Sequence, residues 1–323
     1  MSVTRERSAG TAMQGPPRGA AAPPRAVTPP ATPEGARDRP SLARRWLRIL
    51  GDNRLTGGGT LVVLLIVLVA LVGPQFGRSA DEVEATSRLL PPSVEHPFGT
   101  DQFGRDVLAR VVSGARISLL VGFAGTLLAL TLGVLLGAVT AYAGGWLDEI
   151  AGRLMDVIMA FPYIVLAIAL AWVVGPSVPT LVLVVGVIRL PQFARITRAA
   201  VLTIRDREYV VAARALGQAP LPTLFRHVLP NAIAPVIVYA TLATATAINT
   251  EAALSFLGVG IQPPTASWGT MLSDGRRYVF DAPWIATFPG LAISVTILGF
   301  NLLGDGLRDA MDPTMRRQGS GPG

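Results

Sequence analysis

Long uncharged stretches alternate with short polar segments along most of the chain. Five stretches of 23 to 32 residues contain no charged residue and no histidine: Leu55–Gly77, Ile117–Leu147, Val157–Ile188, Val228–Thr250 and Ala282–Gly304. A helix needs about 20 apolar residues to cross the hydrocarbon core of a membrane. The pattern therefore predicts an all-α membrane protein.

Glycine and proline divide the longest stretches into separate helices. Gly144-Gly145 lies between a second span, predicted at about 115–140, and a third at about 150–173. Gly175-Pro176 then forms a turn into a fourth span that ends near Pro191. With further spans at 57–73, 232–254 and 284–303, the sequence predicts six transmembrane helices, and both termini then lie on the same side of the membrane.

The remaining segments are polar or biased in composition. Residues 1–40 contain eight prolines and no hydrophobic period, which predicts a disordered cytoplasmic tail. Residues 41–56 are predicted as an interfacial helix at the headgroups, or as an extension of the first span. The predicted core of five helices, 115–304, is preceded by an outer loop at 74–114 and followed by a cytoplasmic tail at 305–323.

The distribution of charge orients these segments. Residues 1–56 carry a net charge of +6, and the 195–230 loop carries +4, whereas residues 74–113 hold six acids against four arginines. Arginine concentrates on the cytoplasmic side of membrane proteins, which places the loop and both termini inside. A basic N-terminal arm is also typical of nucleic-acid binding, but the orientation rule explains it without any nucleic acid.

Composition excludes several kinds of chemistry. All 28 basic residues are arginine, so neither a lysine-containing phosphate loop nor a Schiff base is available. The chain has no cysteine and only two histidines, which leaves no thiolate or imidazole cluster for a metal. We therefore expect no enzyme activity, no cofactor and no metal site, and any ATP would be hydrolysed by another chain.

The inner loop has a regular pattern of its own. Residues Glu208–Leu216 favour a helix, Gly217 ends it, and Pro220 begins a new direction. Small residues at Ala212, Ala213 and Gly217 would allow another backbone to approach closely. The loop is therefore a candidate docking elbow, with a surface hairpin that has no partner as the alternative.

This loop resembles one shared by the inner-membrane permease subunits of binding-protein-dependent ABC importers. That pattern is Glu-Ala-Ala, three residues, Gly, nine residues, Ile, one residue, Leu-Pro. The positions that match are Ala212, Ala213, Gly217, Leu229 and Pro230, whereas Val211 replaces the glutamate and His227 the isoleucine. The resemblance implies that the loop docks in a cleft of an ATPase subunit, with Glu208, one turn earlier, as a substitute carboxylate.

Further blocks narrow the resemblance to the dipeptide/oligopeptide/nickel branch, in its second permease type. They lie at 96–122, 144–162, 251–276 and 288–313. The resemblance implies a six-helix bundle like that of type I ABC importer permeases, in a bacterial plasma membrane. It also implies a second homologous permease, ATPase subunits and an extracytoplasmic solute-binding protein as partners, besides membrane lipid. A nickel or other small-solute importer is the alternative, followed by a secondary transporter and a membrane-anchored enzyme.

A few polar residues near the predicted spans are candidates for function. Asp101, Arg105 and Asp106 either pair locally on a short interfacial helix or contact a docking binding protein. His96 is the one outer imidazole that nickel could meet, with a turn residue as the ordinary interpretation.

Three polar residues lie within or beside the predicted spans themselves. Glu251 and Asn249 either line a pathway or form hydrogen bonds between helices. Arg189 is expected to extend to the inner headgroups.

Overall fold

The computed structural model describes residues 54–75 and 78–311, which form helices and no β-strand. The predictions for residues 1–40, for most of 41–56 and for the end of the C-terminal tail lie outside the described residues. The helices are α1 Arg54–Val72, α2 Val107–Ala143, α3 Gly145–Ala160, α4 Tyr163–Val174, α5 Val178–Ile204, α6 Glu208–Ala215, α7 Pro220–Thr223, α8 Leu229–Ala232, α9 Ala234–Phe256, α10 Trp268–Gly275 and α11 Trp284–Met311.

Four of these helices are long and apolar enough to cross a membrane on their own: α1, α2, α5 and α11. Two bent pairs of helices also have the length and apolar composition of a span. Helices α3 and α4 meet at 92°, and the segment Pro220–Ala232 meets α9 at 61°. The predicted number of six spans holds when each bent pair is counted as one span.

The third predicted span is not one continuous helix. It breaks at Phe161, whose backbone is extended with φ −83° and ψ 138°. The following Pro162 disfavours helical geometry at the residue before it and has no N–H to continue the helical ladder. The bend therefore follows from a proline that lies inside the predicted span.

Three predicted boundaries are also corrected. Helix α2 begins at Val107, inside the predicted outer loop, because Asp106 caps it by accepting a hydrogen bond from the Ala109 N–H at 2.9 Å. Helix α5 continues to Ile204, well into the predicted inner loop of 195–230. Helix α11 continues beyond the predicted end at 303, and the short α10 was not predicted.

The bundle is built on a close contact between α2 and α5. Gly125, Gly133 and Gly137 of α2 face α5, and a Cβ added at Gly137 would lie 2.3 Å from the carbonyl oxygen of Ala194. Only the absence of side chains allows the two backbones to approach this closely. Such small-residue contacts favour helix association in membranes, where apolar burial alone provides little drive.

Helix α11 packs against both α1 and α9. Its Gly299 packs against Val62 and Val63 of α1, and Gly306 packs against Thr56. On another face, Gly304 packs against Thr241 and Leu242 of α9. As a result, Arg54 and Met311, the ends of the described bundle, lie on the same side as the start of α9.

Helix α2 reaches from one end of the bundle to the other. Its 37 residues correspond to about 55 Å of helix. At its C-terminal end, Ala138 and Ala141 pack against the arginine-rich segment that follows α5. We call this the loop end of the bundle, and we call the opposite end, around Asp106, the far end.

The glycine contact predicts a large difference between two Gly→Ala substitutions. Gly137→Ala must push α2 away from α5, which we expect to cost about 1–3 kcal/mol of stability. Gly152→Ala on α3 meets no atom within 4 Å and should stabilise the protein by up to about 1 kcal/mol through helix propensity. Thermal unfolding of the two purified variants checks this, and equal melting temperatures would contradict the packing described for α2 and α5.

Candidate functional site

The inner loop forms a two-helix elbow, which we define as residues 208–223. Helix α6 ends at Ala215, and Gly217 adopts φ +80° before the chain enters α7. The N–H groups of Gly217 and Gln218 close the helix end by donating to the carbonyls of Arg214 and Ala213. The two short helices joined at Gly217 that the sequence predicted are therefore present.

A small apolar cluster fixes the elbow to the loop end of the bundle. Val210, Leu224 and Val228 are fully buried against residues of α2 and α5. The partners on those two spans are Ala138, Ala141 and Val201. The elbow is thus packed against the bundle along one side.

Two arginines, one in the elbow and one just before it, make polar contacts with the end of α2. Arg205 donates from Nη1 to the carbonyl oxygen of Ala141 at 2.8 Å. Arg214 donates from Nε to the Tyr142 hydroxyl at 3.1 Å and lies over the same ring at 4.9 Å from its centre. It also donates to the Arg205 carbonyl, so the elbow is held by several interactions rather than by packing alone.

The opposite side of the elbow is exposed and largely apolar. Leu216 is 88% exposed, and Val211 and Leu221 are also exposed. Glu208 and Ala212 share this exposed side, whereas Ala213 is half-buried. An exposed apolar surface on a segment whose other side is firmly anchored is typical of a docking surface.

The elbow continues into α9 through an irregular helical segment. Residues Leu224–Val228 form a π-type turn, and Pro230 lies in the first turn of α8. Leu229 is half-buried between the cluster under the elbow and a second cluster that includes Val236. The matched residues Leu229 and Pro230 therefore connect the elbow mechanically to α9.

At the far end, Asp101, Arg105 and Asp106 are buried, with exposed fractions between 3% and 7%. Arg105 donates from Nε to Asp101 at 2.6 Å, and Asp106 accepts from His96 at 2.9 Å while it caps α2. This geometry favours the local structural role, but residues 101–106 form a turn before α2 and not the predicted short interfacial helix. The outer imidazole His96 lies in this cluster as well and has Arg78 beside it.

Helix α10 contributes an acid to the same end. Asp274 lies 3.9 Å from Arg105. Burial raises the pKa of Asp274 above its ordinary value, although Arg105 and Arg110 act in the opposite direction. The arginines thus offset only part of the cost of removing this carboxylate from water.

Glu251 of α9 is completely buried. It accepts a hydrogen bond from the Ser255 hydroxyl at 2.8 Å. Ser118 of α2, close by, accepts from the backbone N–H of Trp268 at the start of α10. This favours the structural interpretation of Glu251. Asn249, by contrast, is exposed on α9.

Several contacts that position the elbow were not found from the sequence. Tyr142 lies more than 60 residues before Arg205 and Arg214 in the chain, and no local pattern links it to them. Val210 lies on α6, whereas Leu224 and Val228 lie in the π-type turn, so their burial in one cluster depends on tertiary packing.

Comparison with known proteins identifies the type of chain. Residues 129–317, more than half of the chain and including the elbow, match the family described as binding-protein-dependent transport system inner membrane component. The chain belongs to this family. It is therefore a multi-pass membrane permease rather than an enzyme, and the resemblance found in the loop and its neighbouring blocks is confirmed.

Three relatives of this permease cover most of both chains. It is 43% identical to the dipeptide transport system permease protein DppC of Alkalihalophilus pseudofirmus, over 84% of this chain and 90% of the relative. It is 41% identical to the di/tripeptide permease DppC of Pseudomonas aeruginosa, over 86% and 94% of the two chains. It is also 41% identical to the oligopeptide permease OppC of Bacillus subtilis, over 82% and 88%.

The backbone at Gly217 predicts a local effect of substitution. A β-branched residue at φ +80° is strained by about 1–2 kcal/mol, although nothing lies within 4 Å of a Cβ added there. We expect Gly217→Val to speed hydrogen exchange of the amides in residues 208–223 by about 5-fold or more. Gly258→Val, at φ +81° in open space after α9, is the matched control and should leave these amides unchanged. Unchanged exchange in both variants would show that the turn does not stabilise the elbow.

Proposed function

We propose that this permease is one half of the translocation pathway of an ATP-driven importer of di- or oligopeptides. A second homologous permease forms the other half, separate ATPase subunits supply the energy, and an extracytoplasmic binding protein delivers the peptide. The observation that carries the proposal is the elbow, with an anchored side and an exposed apolar side, in a chain 43% identical to a dipeptide permease.

The geometry suggests how the ATPase would drive the spans. An ATPase that binds Ala212, Leu216 and the neighbouring exposed groups would move the elbow as the ATPase subunits close and open. The anchored side would transmit this movement to α2 and α5, and α8 would transmit it to α9. The pathway would then alternate between facing outside and facing inside.

The loop end is proposed to be cytoplasmic, with both termini on that side. The net positive charge of the loop supports this orientation. The contact of Gly306 with Thr56 also supports this orientation. It places the start of the first span and the end of the last span on the same side of the membrane. A binding protein at the far end would contact the exposed surface that lies over the buried Asp101, Arg105 and Asp106.

Uptake by the complete transporter tests the proposed function. Proteoliposomes that contain both permeases and the ATPase subunits, supplied with the binding protein, should accumulate radiolabelled dipeptide only when ATP is present on the ATPase side. Accumulation of radiolabelled nickel in place of peptide would favour the nickel alternative. Accumulation driven by an ion gradient without ATP would contradict the proposal.

The docking surface predicts the effect of a charge on the elbow. Ala212→Glu places a carboxylate on the exposed side without disturbing the anchored side, so we expect normal insertion but at least a 10-fold loss of ATP hydrolysis stimulated by loaded binding protein. Ala199→Glu, exposed on α5 outside the elbow, is the matched control and should retain stimulation. Full stimulation with Ala212→Glu, at normal subunit stoichiometry, would show that the ATPase docks elsewhere.

A further inference from the structure

Helix α5 carries an arginine far from both of its ends. Arg189 lies about 16 Å along the helix axis from Val178 and about 22 Å from Ile204. The expectation that it extends to the inner headgroups is not met, since the side chain turns toward α9. It donates from Nη2 to the Thr250 hydroxyl and from Nη1 to Gln192 Oε1, both at 3.4 Å.

The positive charge of Arg189 is poorly satisfied by these contacts. Both hydrogen bonds are long, and Nε is buried without a hydrogen-bond partner. Within residues 54–75 and 78–311, no carboxylate makes an ion pair with it. The Tyr239 hydroxyl also interacts with the guanidinium, so the partners of its five N–H donors among the described residues are neutral, and its capacity to bind an anion is unused.

The neighbouring face of α9 is polar and exposed. Thr246 lies one turn before Thr250, and Asn249 lies three residues after Thr246, so the three residues share one side of the helix. Thr246 and Asn249 are exposed in the single chain, although they lie within a membrane-spanning helix. Polar groups at such depth face the interior of a bundle or a water-filled cavity rather than lipid.

We propose that Arg189, with Gln192 and Thr250 beside it, is an anion-recognition point in the translocation pathway that contacts the carboxylate of a peptide in transit. This rests on the proposed function, because it assumes that peptides use the pathway. A guanidinium can present two parallel N–H donors to a carboxylate, which matches the end of a peptide chain. Long bonds to neutral partners leave the guanidinium free to exchange them for the carboxylate.

The neutral partners also suit a site through which a substrate must pass. A buried carboxylate partner would neutralise Arg189 permanently, and a full set of short bonds would fix its position. Transport requires contacts that are favourable enough for entry and weak enough for release. An arginine held by neutral partners, two of them through long hydrogen bonds, meets both requirements.

Cysteine labelling tests the proposal directly, since the chain contains no cysteine of its own. In the complete transporter in proteoliposomes, T246C is treated with a negatively charged sulfonatoethyl methanethiosulfonate or a positively charged trimethylammonium-ethyl one. We expect the ratio of the anionic to the cationic labelling rate of T246C to be several-fold higher than the same ratio at V94C when Arg189 is present. R189Q should remove this preference, and R189K should retain it. V94C, fully exposed at the far end, should react equally in all three backgrounds.

Protection by substrate completes the test. A transported dipeptide should slow anionic labelling of T246C several-fold, and the same dipeptide should protect much less in the R189Q background. No reaction of T246C with either reagent during ATP turnover, or a preference that is unchanged in R189Q, would overturn the proposal. Peptide uptake without protection would overturn the carboxylate contact alone. A preserved charge preference in a complex that imports no peptide would support the anion site and contradict the peptide substrate.

Discussion

The close approach of α2 and α5 is the contact on which the other parts of this permease depend. In a membrane, apolar side chains gain little by leaving lipid for protein, so association relies on how closely the surfaces fit. Gly125, Gly133 and Gly137 provide that fit because they have no side chain where α2 meets α5. The elbow, the buried far-end residues around Asp106 and the buried Glu251 all contact α2. The path of this helix therefore sets the position of each of them.

The number and order of spans could be predicted from sequence because hydrocarbon thickness sets a minimum length for an uncharged stretch. The ends of the helices could not be predicted in the same way. Arg195 and Arg198 look like loop residues, yet they lie on α5, where they pair with Asp156 and Asp148 of α3. Those pairs join residues about 40 to 50 positions apart, and no local pattern reveals them.

In the candidate site, too, local features could be predicted from the sequence, whereas contacts between distant residues could not. Ala212, Gly217 and Pro230 follow a motif with fixed spacing, so their helix, turn and helix restart could be predicted and are present in the structure. The cluster beneath the elbow and the contact between Arg214 and Tyr142 depend on tertiary packing. Arg189 was misplaced for a related reason, because its depth in the bundle depends on how far α5 continues beyond Pro191.

The length of α2 gives it a further property. At about 55 Å, it is nearly twice as long as a hydrocarbon core of about 30 Å is thick, and its two ends carry the far-end cluster and the support of the elbow. A helix of this length can transmit a rigid tilt from one end of the bundle to the other. A tilt of about 10° around its midpoint would move each end by about 5 Å in opposite directions. In the proposed transporter, a loaded binding protein that tilts α2 on one face of the membrane would thus displace the elbow on the other face, and no group would have to cross the membrane.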